Sequence, residues 1–408
     1  VMNRHKGVLD LIRDSEVCRP RIGWITTFGE RCGIATTTEM MIQAMDAPAP
    51  VVFSRKDMGV PVTMDHRDIR SITVFPSWDE CGFYGILDAV THYRLQCVVI
   101  QFVYPFYDYD ALSELIDALD QLGVVVVVEL HESEPPRYSP ERHLRHLVSV
   151  LSRVDRVLVH SVNALNDLKA LGLVENVTWF PLGVKLPPTA PQPSDTQPDW
   201  VTRIDTVARS DQVLIASYGF FLPHKGLIEL IEVVHRLVQS GEAIHLLLLN
   251  AEYPSPISRQ AIEAAESAIR RFGIDDRVTL VTEFLEDDVA LDVLKKADLL
   301  VFPYRTTEQG ASGAVRFGLA TEKPVITSDL PIFDEFGTRV TRFGSLELEP
   351  MVGELKAMIK AVQDHAPAIQ EQIARVREWM ATHNYGVLAK RYYGMLTALV
   401  RQRHKGVE

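Results

Sequence analysis

The residues best suited to chemistry lie late in the chain, in Asp298–Phe336, DLLVFPYRTTEQGASGAVRFGLATEKPVITSDLPIFDEF. Gly310, Ala311, Ser312 and Gly313 are small enough to let the backbone approach an anionic group. Glu308, Gln309 and Arg316 set a carboxylate, an amide and a guanidinium beside them. A helix over Ser312–Ala320 would begin at this loop, and the free amides of a helix N-terminus favour an anion. The pattern suits a phosphate-bearing ligand; turn glycines and a solvated Arg316 are the alternative that the segment alone leaves open. Lys225, in GFFLPHKG at Gly219–Gly226, is a second phosphate candidate, a mobile cation at a helix start. His131, at the exit of the run Val124–Glu129, suits acid/base work or sugar binding because imidazole exchanges a proton near neutrality. A solvated lysine and a structural histidine are the corresponding plain readings.

The elements that must position these groups follow a strand, loop, helix grammar. Arg21–Thr26 reads as a first strand, and FGERCGIA at Phe28–Ala35 as a polar turn before a helix. Gly29 and Gly33 in that turn could admit phosphate or sugar close to the backbone, but two glycines do not make the dinucleotide fingerprint. Further strands are expected at Val51–Phe53, Ile72–Phe75, Cys97–Phe102, Val124–Glu129, Val157–Val159 and Val177–Phe180. Ser139, Pro140 and Glu141 read as a helix start, with Leu144, Leu147, Val148 and Leu151 as its buried stripe. Its other faces carry Arg142, His143, Arg145, His146 and Arg153, which suit either a solvated face or contact with anionic headgroups or a diphosphate-linked acceptor. The grammar restarts at Val213–Tyr218, so a second doubly wound domain is expected, not an insertion. The boundaries drawn are an N-terminal extension at 1–20, a first α/β domain at 21–186 and a linker at 187–207. A second α/β domain follows at 208–384 and a C-terminal helix at 385–408.

Composition narrows the function. The 408 residues are too many for one core and, at 47% hydrophobic, too apolar for a disordered chain. The net charge of -12 argues against nucleic-acid binding, which needs a basic footprint. No apolar run reaches the ~18 residues of a membrane span, and the charged N-terminal stretch lacks a secretory core. A cytoplasmic protein is expected. Cys18, Cys32, Cys81 and Cys97 are too scattered for a zinc or iron–sulfur site, and no metal is expected.

Two doubly wound domains with a ligand loop late in the second resemble the nucleotide-sugar glycosyltransferases of GT-B fold, specifically the retaining family 4. The resemblance rests on YGFFLPHKGLIELIEVVHRL at Tyr218–Leu237 and on VTLVTEFLEDDVALDVLKKADLLVFPYRTTEQGASGAVRFGLATEKPVITSDLP at Val278–Pro331. TTFGERCGIATTTEMM and VVVVELHESEPP add to it. It implies two domains facing an interdomain cleft, with the last helix returning to the N-terminal domain. The C-terminal domain would bind a nucleoside diphosphate sugar, and the N-terminal domain would present a glycan or lipid-linked acceptor. A surface polysaccharide or lipid-linked glycan would be the product, with peripheral contact at the inner face of the membrane. No cofactor beyond the donor and no nucleic acid is implied, and no oligomeric state.

By the same resemblance, Lys225 matches the lysine that contacts the diphosphate and His131 a histidine beside the active cleft. Glu308 or Gln309 would hold sugar hydroxyls, and Arg316 would take over charge from an arginine whose place is held by Phe220. The chain also departs from the family at Phe102, Leu182 and Phe317, the last replacing a ribose-binding glutamate. The departures at Phe102, Phe220 and Phe317 carry one alternative, a noncatalytic GT-B scaffold, and the shared two-domain architecture leaves a second, a nucleotide-sugar epimerase.

Overall fold

The computed structural model describes residues 19–29, 32–54, 74–75, 82–133, 135, 141–187, 198–307 and 310–405. The chain forms two compact units. The first comprises Val1–Gly183, Glu308–Ala311 and Tyr385–Glu408, and the second Val184–Thr307 and Ser312–Asn384.

In the first unit β1 (Ile22–Ile25), β2 (Val51–Phe53), β3 (Val74–Phe75), β4 (Cys97–Phe102), β5 (Val125–Leu130), β6 (Arg156–Val159) and β7 (Val177–Trp179) form one sheet. Its order is β3-β2-β1-β4-β5-β6-β7 and every pairing is parallel. β4 and β5 are buried at every position because helices cover both faces, which is why they read as continuous apolar runs. The strand order reverses between β1 and β4, so the loops after these two strands flank the crevice where open α/β sheets take ligands.

The second unit repeats the plan with β8 (Val213–Phe220), β9 (Ile244–Ala251), β10 (Val278–Val281), β11 (Leu299–Phe302), β12 (Val325–Thr327) and β13 (Thr341–Arg342). The order is β10-β9-β8-β11-β12-β13, again parallel, with the reversal between β8 and β11. Behind β8 the helix Leu227–Gln239 buries Leu227, Leu230, Ile231, Val234 and Leu237, the stripe expected from its 3.6-residue period.

The helix Tyr385–Lys405 belongs to the first unit, as its expected return requires. Its Leu388, Tyr392, Leu396 and Leu399 are buried with Trp24, Val127 and Phe180. Tyr392 stacks on Trp24 at a centroid distance of 5.7 Å, and Arg403 pairs with Asp155 at 2.8 Å.

Two expectations need correction. Residues 199–207, placed in the linker, are a helix whose Val201, Ile204 and Val207 are buried in the second unit. Their spacing of three is a helical face that a Pro-rich neighbourhood disguised. The helix expected from Ser139 is instead a 3-10 turn, Leu144–His146, and one α-turn, Val148–Leu151. Ser139 and Pro140 lie outside the described residues, and Leu144, Leu147 and Leu151 are buried as expected.

Candidate functional site

In the first unit the parallel register builds a polar cluster at the ends of β4, β5 and β6. Gln101 of β4 is paired with Glu129 of β5, so their side chains lie beside each other. His131 follows Glu129 by two residues and therefore points to the same face. Its N–H extends the ladder by donating to the Phe102 carbonyl at 3.1 Å. Continuing the β5–β6 register sets His131 beside His160, with ring centroids 5.0 Å apart.

Glu129, at 6% exposure, is the hub. Its Oε2 accepts from Gln101 Nε2 at 3.0 Å and from the Tyr392 hydroxyl at 2.8 Å, while Oε1 lies 3.1 Å from His160 Nε2. Burial alone would raise the Glu129 pKa; the hydrogen bonds and charges of His160, His131 and Tyr392 outweigh it and hold the carboxyl at about 2. Desolvation and the neighbouring His160 push His131 down to about 3, against the pull of Glu129, so its imidazole is neutral at pH 7. His131 Nε2 is hydrogen-bonded to Gln101 Oε1, and the His131 carbonyl accepts from Gly310 N–H at 3.1 Å. A Cβ on Gly310 would sit 3.1 Å from that carbonyl, a tight contact that glycine avoids. Donor atoms of Glu129, His131 and His160 lie within 4.8 Å of one another, near enough for an ion. Glu129 and the His131 Nε2 are already engaged in hydrogen bonds.

The loops flanking the first sheet's reversal add two features. Gly33 opens the helix Gly33–Ala44, whose N-cap Cys32 accepts from Ala35 N–H, and a Cβ on Gly33 would meet nothing within 4 Å. After β4, a concavity of about 450 Å³ is lined by Phe106, Tyr109, Asp110, Glu141, Arg142 and His146. The basic run is not a uniform face. Arg142 donates to the Tyr107 carbonyl and lies 5.1 Å over the Tyr109 ring, and Arg153 pairs with Asp117 at 2.8 Å.

In the second unit β8 ends in a 3-10 turn, Pro223–Lys225, closed by Gly226 at φ 70°. A Cβ on Gly226 would stand 2.1 Å from the Pro303 carbonyl oxygen, so glycine alone lets this turn rest on the segment after β11. Arg305 N–H donates to His224 O at 2.8 Å across the same seam. Lys225 is thereby fixed at the sheet's reversal, 8% exposed, with Nζ 3.7 Å over the Tyr304 ring. That contact is worth roughly 0.5–2 kcal/mol. Among the described residues no carboxylate pairs with Lys225. The adjacent His224 is held near pKa 4 by its own burial and, to a lesser extent, by the Lys225 charge.

The helix expected from Ser312 is Gly313–Ala320, with Ser312 as N-cap accepting from Val315 N–H at 3.3 Å. A Cβ on Gly313 would meet nothing within 4 Å, which leaves the first turn open on that side. Glu308 and Gln309 lie outside the described residues, and Ala311 precedes the cap in the first unit. Arg316, expected to take up diphosphate charge, makes two contacts within the second unit. It is 2% exposed, its Nη1 donates back to the Ser312 carbonyl at 3.0 Å, and its Nη2 is paired with Glu335. These contacts tie the helix start to the Pro331–Arg339 segment. Phe317 stacks on Tyr218 at 4.9 Å, and Phe220 packs against Tyr253 at 5.1 Å.

The structure thus gathers His131 with Gly310 in the first unit, and Ser312, Gly313 and Arg316 in the second, where Lys225 stands at the reversal of the same sheet. Sequence reasoning missed Gln101, His160, Tyr392, Tyr304 and Glu335. The period of two along β5 was the available signal for Glu129 beside His131.

Residues 212–343 match the family model Glycosyl transferases group 1. No curated protein sequence matches the chain significantly. Among solved structures, Anabaena HepE in complex with UDP and glucose superposes with a TM-score of 0.69 at 14% identity, over 93% of this chain and 100% of that one. Sucrose-phosphate synthase from Thermosynechococcus elongatus gives 0.70 at 15%, over 94% and 100%. A glycosyltransferase from Rickettsia africae gives 0.71 at 13%, over 94% and 99%. At these identities the likeness is one of architecture: the chain has the GT-B fold of two parallel-sheet domains, and its second domain carries the glycosyl transferase match.

Proposed function

We propose that the protein transfers a sugar, with retention at the anomeric carbon, from a nucleoside diphosphate sugar to an acceptor hydroxyl. Lys225 carries this reading. It is a nearly buried cation with no described carboxylate partner, at the reversal of the second sheet, in the unit that also holds the open N-terminus of Gly313–Ala320. Support comes from the glycosyl transferase match over the same unit and from HepE, which was solved with UDP-glucose.

In the reaction the bond between the anomeric carbon and the diphosphate oxygen breaks, and the diphosphate leaves with the electron pair. The acceptor oxygen bonds the same face of that carbon, and its proton passes to the departing diphosphate. Charge grows on the leaving group as the bond lengthens, so the Lys225 ammonium and the helix amides stabilise the transition state more than the bound donor. Glu308 or Gln309 would hold sugar hydroxyls, and Gly33 would line the path of a glycan or lipid-linked acceptor, for which the 450 Å³ concavity offers aromatic and charged walls. The reading includes no metal or further cofactor, and a place at the inner membrane face in surface polysaccharide or lipid-linked glycan synthesis. No described helix is long and apolar enough to cross a membrane.

Calorimetric titration with UDP, GDP, ADP and their glucose conjugates tests the donor. At least one should bind, and Lys225→Ala should weaken it by ~10–100-fold, the ~1.5–3 kcal/mol of a bond to a charged group. Normal turnover by Lys225→Ala would reject its role. Phe317, stacked on Tyr218 where the resembled family has a ribose-binding carboxylate, favours the scaffold alternative. Failure of every nucleotide to bind would favour that alternative, and an isomerised donor as product would identify an epimerase.

A further inference from the structure

We infer that Gln101 is a positioning residue that fixes His131 as the Nε2–H tautomer, so that His131 offers Nδ1 as a hydrogen-bond acceptor to a ligand hydroxyl. The meaning of that acceptor rests on the sugar-transfer reading; the tautomer itself does not.

Donor and acceptor parity sets the tautomer. An ionised carboxylate only accepts hydrogen bonds. Glu129 is ionised, and Gln101 presents one end of its amide to Glu129 Oε2 at 3.0 Å, so that end must be the NH2 group. The other end, Oε1, is an acceptor, and it meets His131 Nε2. The nitrogen must therefore carry the proton. With one ring proton on a neutral imidazole, Nδ1 keeps its lone pair. Among the described residues nothing donates to Nδ1, and the His131 side chain is half-buried, not sealed.

Gln101 cannot turn over to reverse this assignment. A flipped amide would aim its oxygen at the carboxylate oxygen that the Tyr392 hydroxyl holds in place at 2.8 Å. The amide is 2% exposed, so no water replaces the lost bond cheaply. A polar ladder thus runs from Tyr392 through Glu129 and Gln101 to His131, and each member sets the next. A group that only accepts, such as a carboxylate or phosphate oxygen, gains nothing opposite Nδ1, whereas a sugar hydroxyl can donate to it. The specificity expected at this position is for a neutral, hydroxylated part of the ligand.

The test is two-bond nitrogen–proton correlation NMR on the full chain labelled with ¹⁵N-histidine, at pH 7 and without ligand. His131, assigned by its loss in His131→Ala, should show a protonated Nε2 with slow solvent exchange and an unprotonated Nδ1. Protonation at Nδ1, or at both nitrogens, overturns the inference. In Gln101→Met the Nε2 proton should lose its exchange protection and the second tautomer should appear; an unchanged signal also overturns it. Should Gln101→Met fail to fold, Gln101→Glu, which keeps an acceptor at the same reach, must retain the protected Nε2 proton, and its absence there decides against the lock. None of these outcomes depends on catalysis, so a protein that binds no nucleotide sugar can still pass, and a transferase can still fail.

Discussion

Replacing Gly226 with alanine should unsettle the second unit more than the same change at any exposed left-handed glycine. The added Cβ would lie 2.1 Å from the Pro303 carbonyl oxygen, about 1.2 Å inside an ordinary carbon–oxygen approach of ~3.3 Å. The offending atom is backbone, so no rotamer change relieves it and the turn must lift. Lifting strains two bonds, Arg305 N–H to His224 O at 2.8 Å and Lys225 N–H to Leu222 O at 3.0 Å, each worth about 1 kcal/mol. A positive φ on alanine adds roughly 1–2 kcal/mol. The expected loss is about 3–4 kcal/mol. Gly273→Ala is the control, because Gly273 has φ 63° and nothing within 4 Å of its Cβ, so only the conformational part applies. The stiffening of the unfolded chain, ~0.4–1 kcal/mol, is common to both and cancels in the difference. Hydrogen exchange of the amides in Leu227–Gln239 reads the local opening free energy directly and avoids a two-state assumption for a chain of two units. Because Lys225 rides on the same turn, nucleotide binding should also weaken by at least ~10-fold, the reach of one misplaced charged contact. Equal losses for Gly226→Ala and Gly273→Ala, with binding intact, would show that the turn does not depend on its seat against Pro303.

Tyr392→Phe removes a 2.8 Å bond to a buried carboxylate and should destabilise the first unit by about 1.5–3 kcal/mol. Exchange rates in Tyr385–Lys405 would report it, and a change under ~0.5 kcal/mol would contradict the ladder. Arg316→Ala breaks the buried ion pair with Glu335 and should cost about 3–5 kcal/mol in urea unfolding. The folded fraction should still bind nucleotide normally; a pure binding defect would return Arg316 to the ligand. Acid should weaken the fold in steps. His131 at about 3, and His224 and His245 at about 4, lie below their ordinary 6.5, so the unfolded chain binds more protons between pH 6.5 and 4 and stability falls as pH drops through that window. The slope is at most ~1.4 kcal/mol per pH unit for each histidine. Glu129, lowered from 4.5 to about 2, continues the loss below pH 4.5, while Asp287, raised by burial, opposes it. A melting temperature that stays flat from pH 7 to 4.5 would refute these shifts.

What the sequence could show depended on how far apart the partners lie. Strands such as Val125–Leu130 declare themselves locally through unbroken β-branched residues, and the repeat of that grammar after Pro187 exposed a second domain. The Lys225 turn and the Ser312 cap were legible for the same reason, since both are written in fewer than ten consecutive residues. Arg316 looked available because its partner Glu335 is 19 residues away, beyond a strand and a loop. Tyr392 and Glu129 are 263 residues apart, and no periodicity links them. The helix at Asp199–Val207 was hidden by its Pro-rich neighbourhood, although the residues that form it have an ordinary amphipathic spacing.

The distribution of spent and unspent charge decides what kind of anion site the second unit can be. Around the β8–β11 reversal, Arg305 is paired with Glu229 at 3.4 Å, Arg316 with Glu335, and Lys185 with Asp288 at 2.8 Å. Arg342 is held by Asp329 and Asp334 at 2.6 and 2.9 Å. Each of these pairs cancels its own field at short range, so it adds little at a neighbouring ligand. Lys225 is different, because its described neighbour is the face of Tyr304, which steadies an ammonium without neutralising it. A diphosphate bound there would meet one full charge together with the directed amides of a helix start. Recognition of that kind depends on the geometry of a few donors and not on a broad positive surface, which is how a chain of net charge -12 can hold an anion in one place without attracting polyanions everywhere else.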